Sequence, residues 1–466
     1  MKSVSDIDAS FLYLEKPNTP LHIGSVGIYD VSTSDISFDF PTFRKFLSSR
    51  LHLNPALRQR LVSVPLDIDH PYWVEDQNFN LNLHLRHMAL PKPGGWQELA
   101  KLMAREMSRH MGRAHPLWSL VFVQGLDSID GVPSGSIAII SKIHPAGVEV
   151  TSGADVIGDL LSTEPEPQEF IKIRPQKWNT EEMPSSLRLL ASSGIKTLKN
   201  PFRLPRLISQ VFRSVTNIGA SSTIVSAKLP DTLFTAPRTR FNAHFSPRRV
   251  WDAVVLPLEK FKAIRNTVKG MSVNDVIVAV CAGALRKYLM DKGELPTISL
   301  VAMVPVAIRQ GKDGHTMFPT IVQLATNECD SARRLERIHE NILQSKIYQK
   351  AIGAKTLTDY RQFVPFSMAT MATRFYPRIL LDRYQQLPFN LIITNVPGPQ
   401  DSLYLGTSRL LTNMGAFPIV PGMGLAITIF SYSDSLMVSA TSCPEMMPDV
   451  DLFMYFIQES LDELEP

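Results

Sequence analysis

Apolar and polar positions along the chain follow two periods, and both periods occur in each half. Apolar residues three and four apart predict helices over 40–53, 96–111, 258–268, 276–290, 332–351 and 448–463. Short β-branched or alternating runs predict strands, among them 21–29, 72–76, 81–86, 120–126, 136–143, 250–256, 298–304, 315–325, 422–432 and 436–440. Strands and helices mixed in this way predict an α/β protein with two domains.

A proline-rich segment separates the two halves, with six prolines between residues 165 and 205. We therefore predict an N-terminal domain at 1–182, a linker at 183–239 and a C-terminal domain at 240–466. Between Met183 and Pro230 the linker has no acidic residue, and its apolar positions would give basic amphipathic helices. Such helices either lie at a membrane or lipid-droplet surface or pack as a crossover against both domains.

Composition narrows the classes of protein. The 466 residues are 44% hydrophobic and 20% charged, which is typical of a globular protein with a large core. A net charge of +4 without zinc-finger spacing gives no support for nucleic-acid binding. The three cysteines are far apart and odd in number, which favours a reducing compartment and predicts no metal site. With no signal-peptide core and no apolar run of about 18 residues, we expect a cytoplasmic protein.

Candidate chemistry follows the apolar strand 136–143. The strand runs into a loop that carries an imidazole and a carboxylate, His144 and Glu149, before a helical pattern begins at Ala154. Histidine accepts a proton from a hydroxyl near neutral pH, and a neighbouring carboxylate can fix its tautomer and orientation. The pattern therefore predicts a catalytic loop at the end of a central strand.

This loop resembles the active-site motif His-His-x-x-x-Asp-Gly of the bacterial-type wax ester synthase/diacylglycerol acyltransferase family. The stretch reads His144-Pro-Ala-Gly-Val-Glu-Val150. In the family the second His is the general base and the Asp is a structural partner. Pro145 stands at the position of the base here, Glu149 at that of the Asp, and Val150 at that of the Gly.

Other segments resemble the family in the same order along the chain. Pro116-Leu117-Trp118 is similar to a triplet that the family uses in its channel wall, although Trp118 also suits a packed core. Asn274-Asp275 is similar to an element near the family's active site, although Ser272 or Asn274 as cap and Asp275 in the first turn also suit a helix start. Asn395 lies in Thr394-Asn-Val-Pro-Gly-Pro399, which the family carries almost unchanged. We predict that these residues, Pro116, Leu117, Trp118, Asn274, Asp275 and Asn395, bind substrate.

The resemblance implies a fold and an activity. The fold would be that of chloramphenicol acetyltransferase and the condensation domains, with two α/β domains of mixed sheets, a crossover linker and a tunnel at their interface. The activity would be transfer of a fatty acyl group from long-chain acyl-CoA to a fatty alcohol or diacylglycerol, with no cofactor beyond the acyl-CoA co-substrate.

The motif leaves two hypotheses open, because Pro145 has no titratable nitrogen. In the first hypothesis the protein is an acyltransferase in which His144 is the base, or in which positioning and desolvation suffice. In the second it binds acyl-CoA or lipid without transfer. A shift of one residue along a strand turns a side chain to the opposite face, which weighs against His144 as a simple replacement.

Overall fold

The computed structural model describes residues 2–4, 6–16, 19–32, 38–65, 70–147, 158–166, 236–243, 246–268, 270–310, 314–352, 389–420 and 422–465. The predicted motif positions Glu149 and Val150 and nearly all of the predicted linker at 183–239 lie outside these residues.

The N-terminal half is built on a six-stranded mixed sheet in which only the last pair of strands is parallel. A small antiparallel sheet, β1-β4-β3, lies beside it. The strands of this half are β1 (Lys2–Ser3), β2 (Ile23–Asp30), β3 (Gln59–Val62), β4 (Tyr72–Glu75), β5 (Leu85–Ala89), β6 (Trp118–Gln124) and β7 (Ile137–Ile143). The central strand β7 is buried at every position, including the polar residues Ser141 and Lys142 that interrupt its apolar run.

Three helices accompany this sheet in the part of the chain that the structure describes: α1 (Asp6–Leu14), α2 (Phe40–Arg50) and α3 (Trp96–Ser108). Helix α2 packs on one face, where the rings of Phe43 and Phe122 lie 5.4 Å apart. Helix α3 packs on the other face, close to β2. A Cβ atom at Gly24 would lie 2.5 Å from the sulfur of Met107, so this close approach depends on the absence of a side chain there.

The C-terminal half contains a second six-stranded mixed sheet, with the order β10-β9-β11-β14-β15-β8. Strand β11 runs parallel to both of its neighbours, and the other pairs are antiparallel. The strands of this half are β8 (Val250–Pro257), β9 (Val301–Gln310), β10 (Gly314–Gln323), β11 (Leu391–Val396), β12 (Tyr404–Leu405), β13 (Ser408–Ala416), β14 (Ala426–Tyr432) and β15 (Ser435–Ser442).

The helices of this half are α4 (Leu258–Arg265), α5 (Val273–Asp291), α6 (Ser331–Ile352) and α7 (Val450–Asp462). Helix α5 is the central one, since every residue from Asp275 to Leu285 is buried. Its start is fixed by a capping box, in which the Ser272 Oγ accepts the Asp275 N–H and the Asp275 carboxylate accepts the Ser272 N–H.

Strands β12 and β13 cross from the C-terminal half and complete the N-terminal sheet, in the order β12-β13-β2-β7-β6-β5. The sequence prediction assigns residues 240–466 to one C-terminal domain and contains no strand at 408–416. The crossing brings β13 against β14, where a Cβ at Gly415 would lie 2.7 Å from the Thr428 side chain. The two halves therefore share backbone pairing and packing.

Side chains from the C-terminal sheet also enter the core of the N-terminal half. Trp251 and Met437 belong to the same buried cluster as Phe122 and Ile139. The Trp251 indole donates to the Gly415 carbonyl at 3.0 Å, and the Trp96 indole of α3 donates to Asp252 of β8 at 2.6 Å. Helix α3 is thus held between the N-terminal sheet and the C-terminal half.

The local predictions differ from the structure chiefly at element ends. Helix α3 ends at Ser108 where the prediction extends to 111, and β9 begins at Val301. The predicted strand at 81–86 is a short 3₁₀ helix, Leu81–Leu83, followed by β5, because Asn80 caps a turn there by accepting the Asn82 N–H.

The crossing strands give a test of this architecture. Tyr432 on β14 accepts the Leu403 N–H at 2.8 Å and donates to the Leu410 carbonyl at 3.1 Å. Because Tyr432→Phe leaves both backbone groups without this partner, we expect it to lower the free energy of unfolding by roughly 1–3 kcal/mol in urea titrations. Tyr455→Phe, at a residue 61% exposed, is the control and should change little. Equal stability of both variants would contradict the bridging role of Tyr432.

Candidate active site

The chain leaves β7 in a tight turn at the position where the sequence predicts catalytic chemistry. The His144 N–H donates to the Leu117 carbonyl at 3.0 Å, which continues the pairing of β7 with β6 by one residue. Residues Pro145–Gly147 then form one turn of 3₁₀ helix, closed by the Gly147 N–H on the His144 carbonyl at 2.8 Å. His144 and Pro145 are both buried.

The imidazole of His144 faces protein groups through both of its ring nitrogens. Its side chain is 1% exposed. Nδ1 accepts the backbone N–H of Ala146 at 3.1 Å, so this nitrogen carries a lone pair and the proton of the neutral ring belongs on Nε2. Nε2 lies 3.8 Å from Oε2 of Glu15. The ring therefore connects the turn to a carboxylate far away in sequence.

Glu15 is the centre of a buried group of charged and titratable side chains, which we call the Glu15 cluster: Glu15, His22, His110, Arg113 and His144. The Glu15 side chain is 6% exposed. One carboxylate oxygen accepts the Arg113 guanidinium at 3.0 Å, and the other lies 3.1 Å from His22 Nε2 and 3.8 Å from His110 Nδ1. The cluster reaches the surface through His110 and Arg113, which are 38% and 46% exposed.

The sheet register explains why these residues meet. Strands β2 and β7 are antiparallel with Ile23 opposite Ile143, so one step further along places His22 opposite His144. The two ring centroids are 6.0 Å apart. Successive side chains of a strand alternate between faces, and these two rings share the α3 face with Lys142. His110 and Arg113 follow the end of α3 on the same face of the sheet, and both contact Glu15 there.

Burial and charge set the protonation states. Burial alone raises the pKa of the Glu15 carboxyl, but the contact with His22 and the charges of His144 and Arg113 outweigh burial and bring its pKa to about 2. Burial lowers the pKa of His144 to about 4 against the opposing effect of Glu15, and it also lowers the pKa of His22. At neutral pH an ionised carboxylate thus lies between two neutral imidazoles.

Lys142 fixes the end of α3 above the same face. Its ammonium group donates to the backbone carbonyls of Glu106 and Arg109 at 2.9 and 2.7 Å, which are acceptors left open at a helix end. Burial lowers the pKa of Lys142 to about 8, partly opposed by the charge of Glu106. These two hydrogen bonds of Lys142 hold the residues that follow α3 next to the His144 turn.

The triplet Pro116-Leu117-Trp118 lies directly beside the turn. Leu117 packs with Leu12 and Ala146, and its carbonyl is the acceptor for His144. Trp118 is 3% exposed, its indole donates to the Leu57 carbonyl at 2.8 Å, and His84 stacks on its ring at 4.4 Å. These contacts give Trp118 a packing role, while Leu117 connects the triplet to the motif.

The predicted site residues of the C-terminal half form a second group. The Asn395 amide donates to the Asn274 side chain at 3.2 Å, so the end of β11 and the start of α5 meet, while substrate binding by these residues stays a prediction. Asp275 is 2% exposed, caps α5, and contacts Nδ1 of His339 on α6 at 2.8 Å. No described contact joins this group to the Glu15 cluster.

Sequence reasoning found His144 and its neighbour Leu117, and it did not find Glu15, His22, His110 or Arg113. The position of His22 could have been predicted from the sequence, because a histidine just before the first residue of a strand that pairs with β7 can lie opposite His144. Glu15, His110 and Arg113 lie in connections whose positions follow only from the packing of α1 and α3. Among the described residues, no three or more His, Cys, Asp or Glu side chains are arranged to hold a metal ion. No described helix is long and apolar enough to span a bilayer.

Comparison with known families matches both halves of the chain. The model of the wax ester synthase/diacylglycerol acyltransferase catalytic domain matches residues 4–277, and the model of the corresponding C-terminal domain matches residues 317–465. A Mycobacterium tuberculosis protein named as a diacylglycerol O-acyltransferase is 31% identical over 100% of this chain and 90% of its own length.

Solved structures give the same fold. The wax ester synthase/diacylglycerol acyltransferase from Marinobacter aquaeolei VT8 aligns over 100% of this chain and 99% of its own, with a TM-score of 0.69 at 24% identity. A trichothecene 15-O-acetyltransferase from Fusarium sporotrichioides aligns over 100% of this chain and 95% of its own, with a TM-score of 0.54 at 13% identity. These likenesses confirm the predicted fold class, and the predicted tunnel stays a prediction.

The buried neutral state of His144 gives a prediction for stability against pH. Its pKa in the folded protein, about 4, lies below the unfolded value of 6.5, so its contribution is complete above pH 6.5 and is lost as pH falls toward 4. From pH 7.5 to 5 this loss is about 2 kcal/mol. We expect urea titrations of His144→Phe to show a shallower decline over that range than wild type. The exposed His52→Phe is the control, and parallel curves for wild type and His144→Phe would refute the assignment.

Proposed function

Because the chain belongs to the wax ester synthase/diacylglycerol acyltransferase family, we propose that it is an O-acyltransferase that moves a fatty acyl group from acyl-CoA to a long-chain alcohol or diacylglycerol. The observation that carries the proposal is the family match in both halves, at residues 4–277 and 317–465. The segments that resemble the family's motifs also support the proposal, because they contact one another in pairs. The His144 N–H donates to the Leu117 carbonyl, and the Asn395 amide donates to the Asn274 side chain.

The proposed reaction needs a proton acceptor or a substitute for one. The alcohol oxygen attacks the thioester carbonyl, the new C–O bond forms as the C–S bond breaks, and the alcohol proton passes to the departing CoA thiolate directly or through a base. A positioned base contributes about 10²- to 10⁴-fold. Pro145 cannot serve, so the rate in this chain depends on another group or on the positioning and desolvation of two bound substrates.

His144 is the candidate base nearest to the motif position, and its surroundings favour a different role. Its Nδ1 lone pair already accepts the Ala146 N–H, and Nε2 faces the Glu15 carboxylate inside the protein. Its pKa of about 4 also makes it a weak acceptor of protons at neutral pH. We therefore propose that His144 supports the turn and that any acyl transfer by the wild-type chain is slow. Glu149, the candidate orienting carboxylate, stays a prediction.

Pro145 also supports a second candidate function, a family member that binds acyl-CoA or lipid without turning it over. Binding depends on apolar walls and a few polar groups, and none of these requires a titratable residue at position 145. The two candidates share a fold and a ligand class, and they differ only in whether CoA is released.

The finer assignments belong to this proposal too. We propose that the division into 1–182, 183–239 and 240–466 describes the sequence order of the domains, with strands β12 and β13 contributed by the last segment to the first sheet. Acyl-CoA and an alcohol or diacylglycerol are the proposed substrates, with no further cofactor. The basic, amphipathic pattern of the linker supports a cytoplasmic protein that attaches to a membrane or lipid-droplet surface.

Acyl transfer can be tested by release of CoA thiol from palmitoyl-CoA with hexadecanol or diacylglycerol as acceptor. We expect slow release from wild type, and Pro145→His should raise it at least tenfold by restoring an imidazole at the family's position. Glu149→Asp with Val150→Gly should raise it further. His144→Ala tests the other assignment, since loss of all activity in that variant alone would make His144 the base. A folded triple variant with no thiol release would leave only the binding function.

Surface attachment can be tested by sedimentation with liposomes that contain anionic lipid. Surface cations act over a Debye length of about 8 Å at physiological ionic strength, so we expect binding that weakens as salt rises. Binding should also weaken when four linker cations are replaced by Gln: Lys196, Lys199, Arg203 and Arg206. The control removes the same charge from exposed sites of α2 and α3: Arg44, Lys45, Lys101 and Arg105. Equal binding of the two variants would contradict the proposal.

A further inference from the structure

We propose that Glu15 is a positioning residue of the acyl-transfer site that acts through His144. Its carboxylate holds the imidazole in the tautomer whose Nδ1 accepts the Ala146 N–H, and so it fixes the turn Pro145–Gly147. This inference deepens the proposed function and rests on it only for its kinetic readout.

The first support is that the imidazole has two neighbours with opposite requirements. The Ala146 N–H at 3.1 Å needs a lone pair on Nδ1. The Glu15 oxygen at 3.8 Å favours a proton on Nε2, because an ionised carboxylate only accepts. One tautomer of neutral histidine suits both neighbours, with a hydrogen bond at Nδ1 and, at Nε2, an electrostatic contact longer than a hydrogen bond. The opposite tautomer would point an N–H at the Ala146 N–H and a lone pair at the carboxylate.

The second support is that Glu15 is itself held from several sides. Arg113 donates to it at 3.0 Å and also to the Leu12 carbonyl at 2.6 Å, which ties the segment after α3 to the end of α1. His22 lies 3.1 Å from the other oxygen. Leu12 packs with Leu117 and Ala146, so the same segment touches the turn through apolar contacts as well. These contacts fix the position of the Glu15 carboxylate independently of its contact with His144.

The third support is that few other polar groups of the described residues hold the turn. Its backbone is held by His144 N–H on Leu117 O, by Gly147 N–H on His144 O and by Ala146 N–H on the imidazole. Only the last of these depends on a side chain. A change in the imidazole therefore reaches the backbone of the residues that take the place of the family's base.

The test compares Glu15→Gln with wild type by amide hydrogen exchange at Ala146 and by acyl-transfer kinetics. Gln presents a neutral amide in place of the charge, so the preference for the Nε2–H tautomer is weakened and rests on the Ala146 N–H alone. We expect Ala146 exchange at least tenfold faster, and kcat at least fivefold lower with KM for palmitoyl-CoA within twofold of wild type. Glu294→Gln is the control, since Glu294 is ion-paired with Arg240 in the C-terminal half, and its side chain has no described contact with the turn or with the Glu15 cluster. It should leave both readouts unchanged.

A double-mutant cycle with His144→Phe identifies the route of the effect. If Glu15 acts through His144, Glu15→Gln should change Ala146 exchange less than twofold in the His144→Phe background. Full additivity, or wild-type exchange in Glu15→Gln, would overturn the proposal. Where Glu15→Gln does not fold, Glu15→Asp replaces it, because it keeps the charge but moves it away from the ring. Wild-type exchange and kcat in that variant would also overturn the proposal. Absence of turnover in wild type would count against the acyl-transfer function alone, since the exchange experiment decides the positioning claim.

Discussion

Burial of an ionised carboxylate at Glu15 is the constraint on which the N-terminal half depends. An isolated buried charge costs several kcal/mol, and the cost is offset only when partners with good geometry surround it. Those partners come from separate parts of the chain: His22 at the foot of β2, Arg113 after α3, and His144 at the end of β7. The cluster can form only when helix, strands and turn are all in place. Loss of a partner would leave the buried carboxylate less compensated, so the cluster favours one arrangement of the turn over its alternatives.

The same turn depends indirectly on the C-terminal half. On one side of helix α3, the Glu106 carbonyl accepts a hydrogen bond from Lys142. On the other side the helix contacts β8, where the Trp96 indole donates to a buried Asp252. Burial raises the pKa of Asp252, against the opposing effect of that hydrogen bond. Strands β12 and β13 then complete the sheet that contains β7. Helix α3 therefore connects the cluster around Glu15 with the C-terminal half through direct contacts.

The sequence predicts the parts of this arrangement that follow from local pattern. The apolar run 136–143 is the buried central strand, and side-chain alternation along it accounts for the contact of His144 with His22 on the α3 face. The cap of α5 is Ser272, one of the two predicted candidates. Strand β13 was not predictable in the same way, because its partner β2 lies in the other half of the sequence, with Arg409 opposite Asp30, and because its own pattern is interrupted by a bulge near Leu410. Glu15 and Arg113 lie in connections, where polar side chains are usually solvated, and only tertiary packing buries Glu15 and pairs it with the partly exposed Arg113.

The central claim is that an ionised Glu15 holds a neutral His144 with its proton on Nε2. The most direct measurement is ¹⁵N NMR of histidine-labelled protein at pH 7, with the His144 signals assigned by their loss in His144→Phe. The account predicts an Nδ1 shift typical of an unprotonated nitrogen, an Nε2 shift typical of a protonated one, and no titration of the ring down to about pH 5. A proton on Nδ1, or an imidazolium at pH 7, would contradict it.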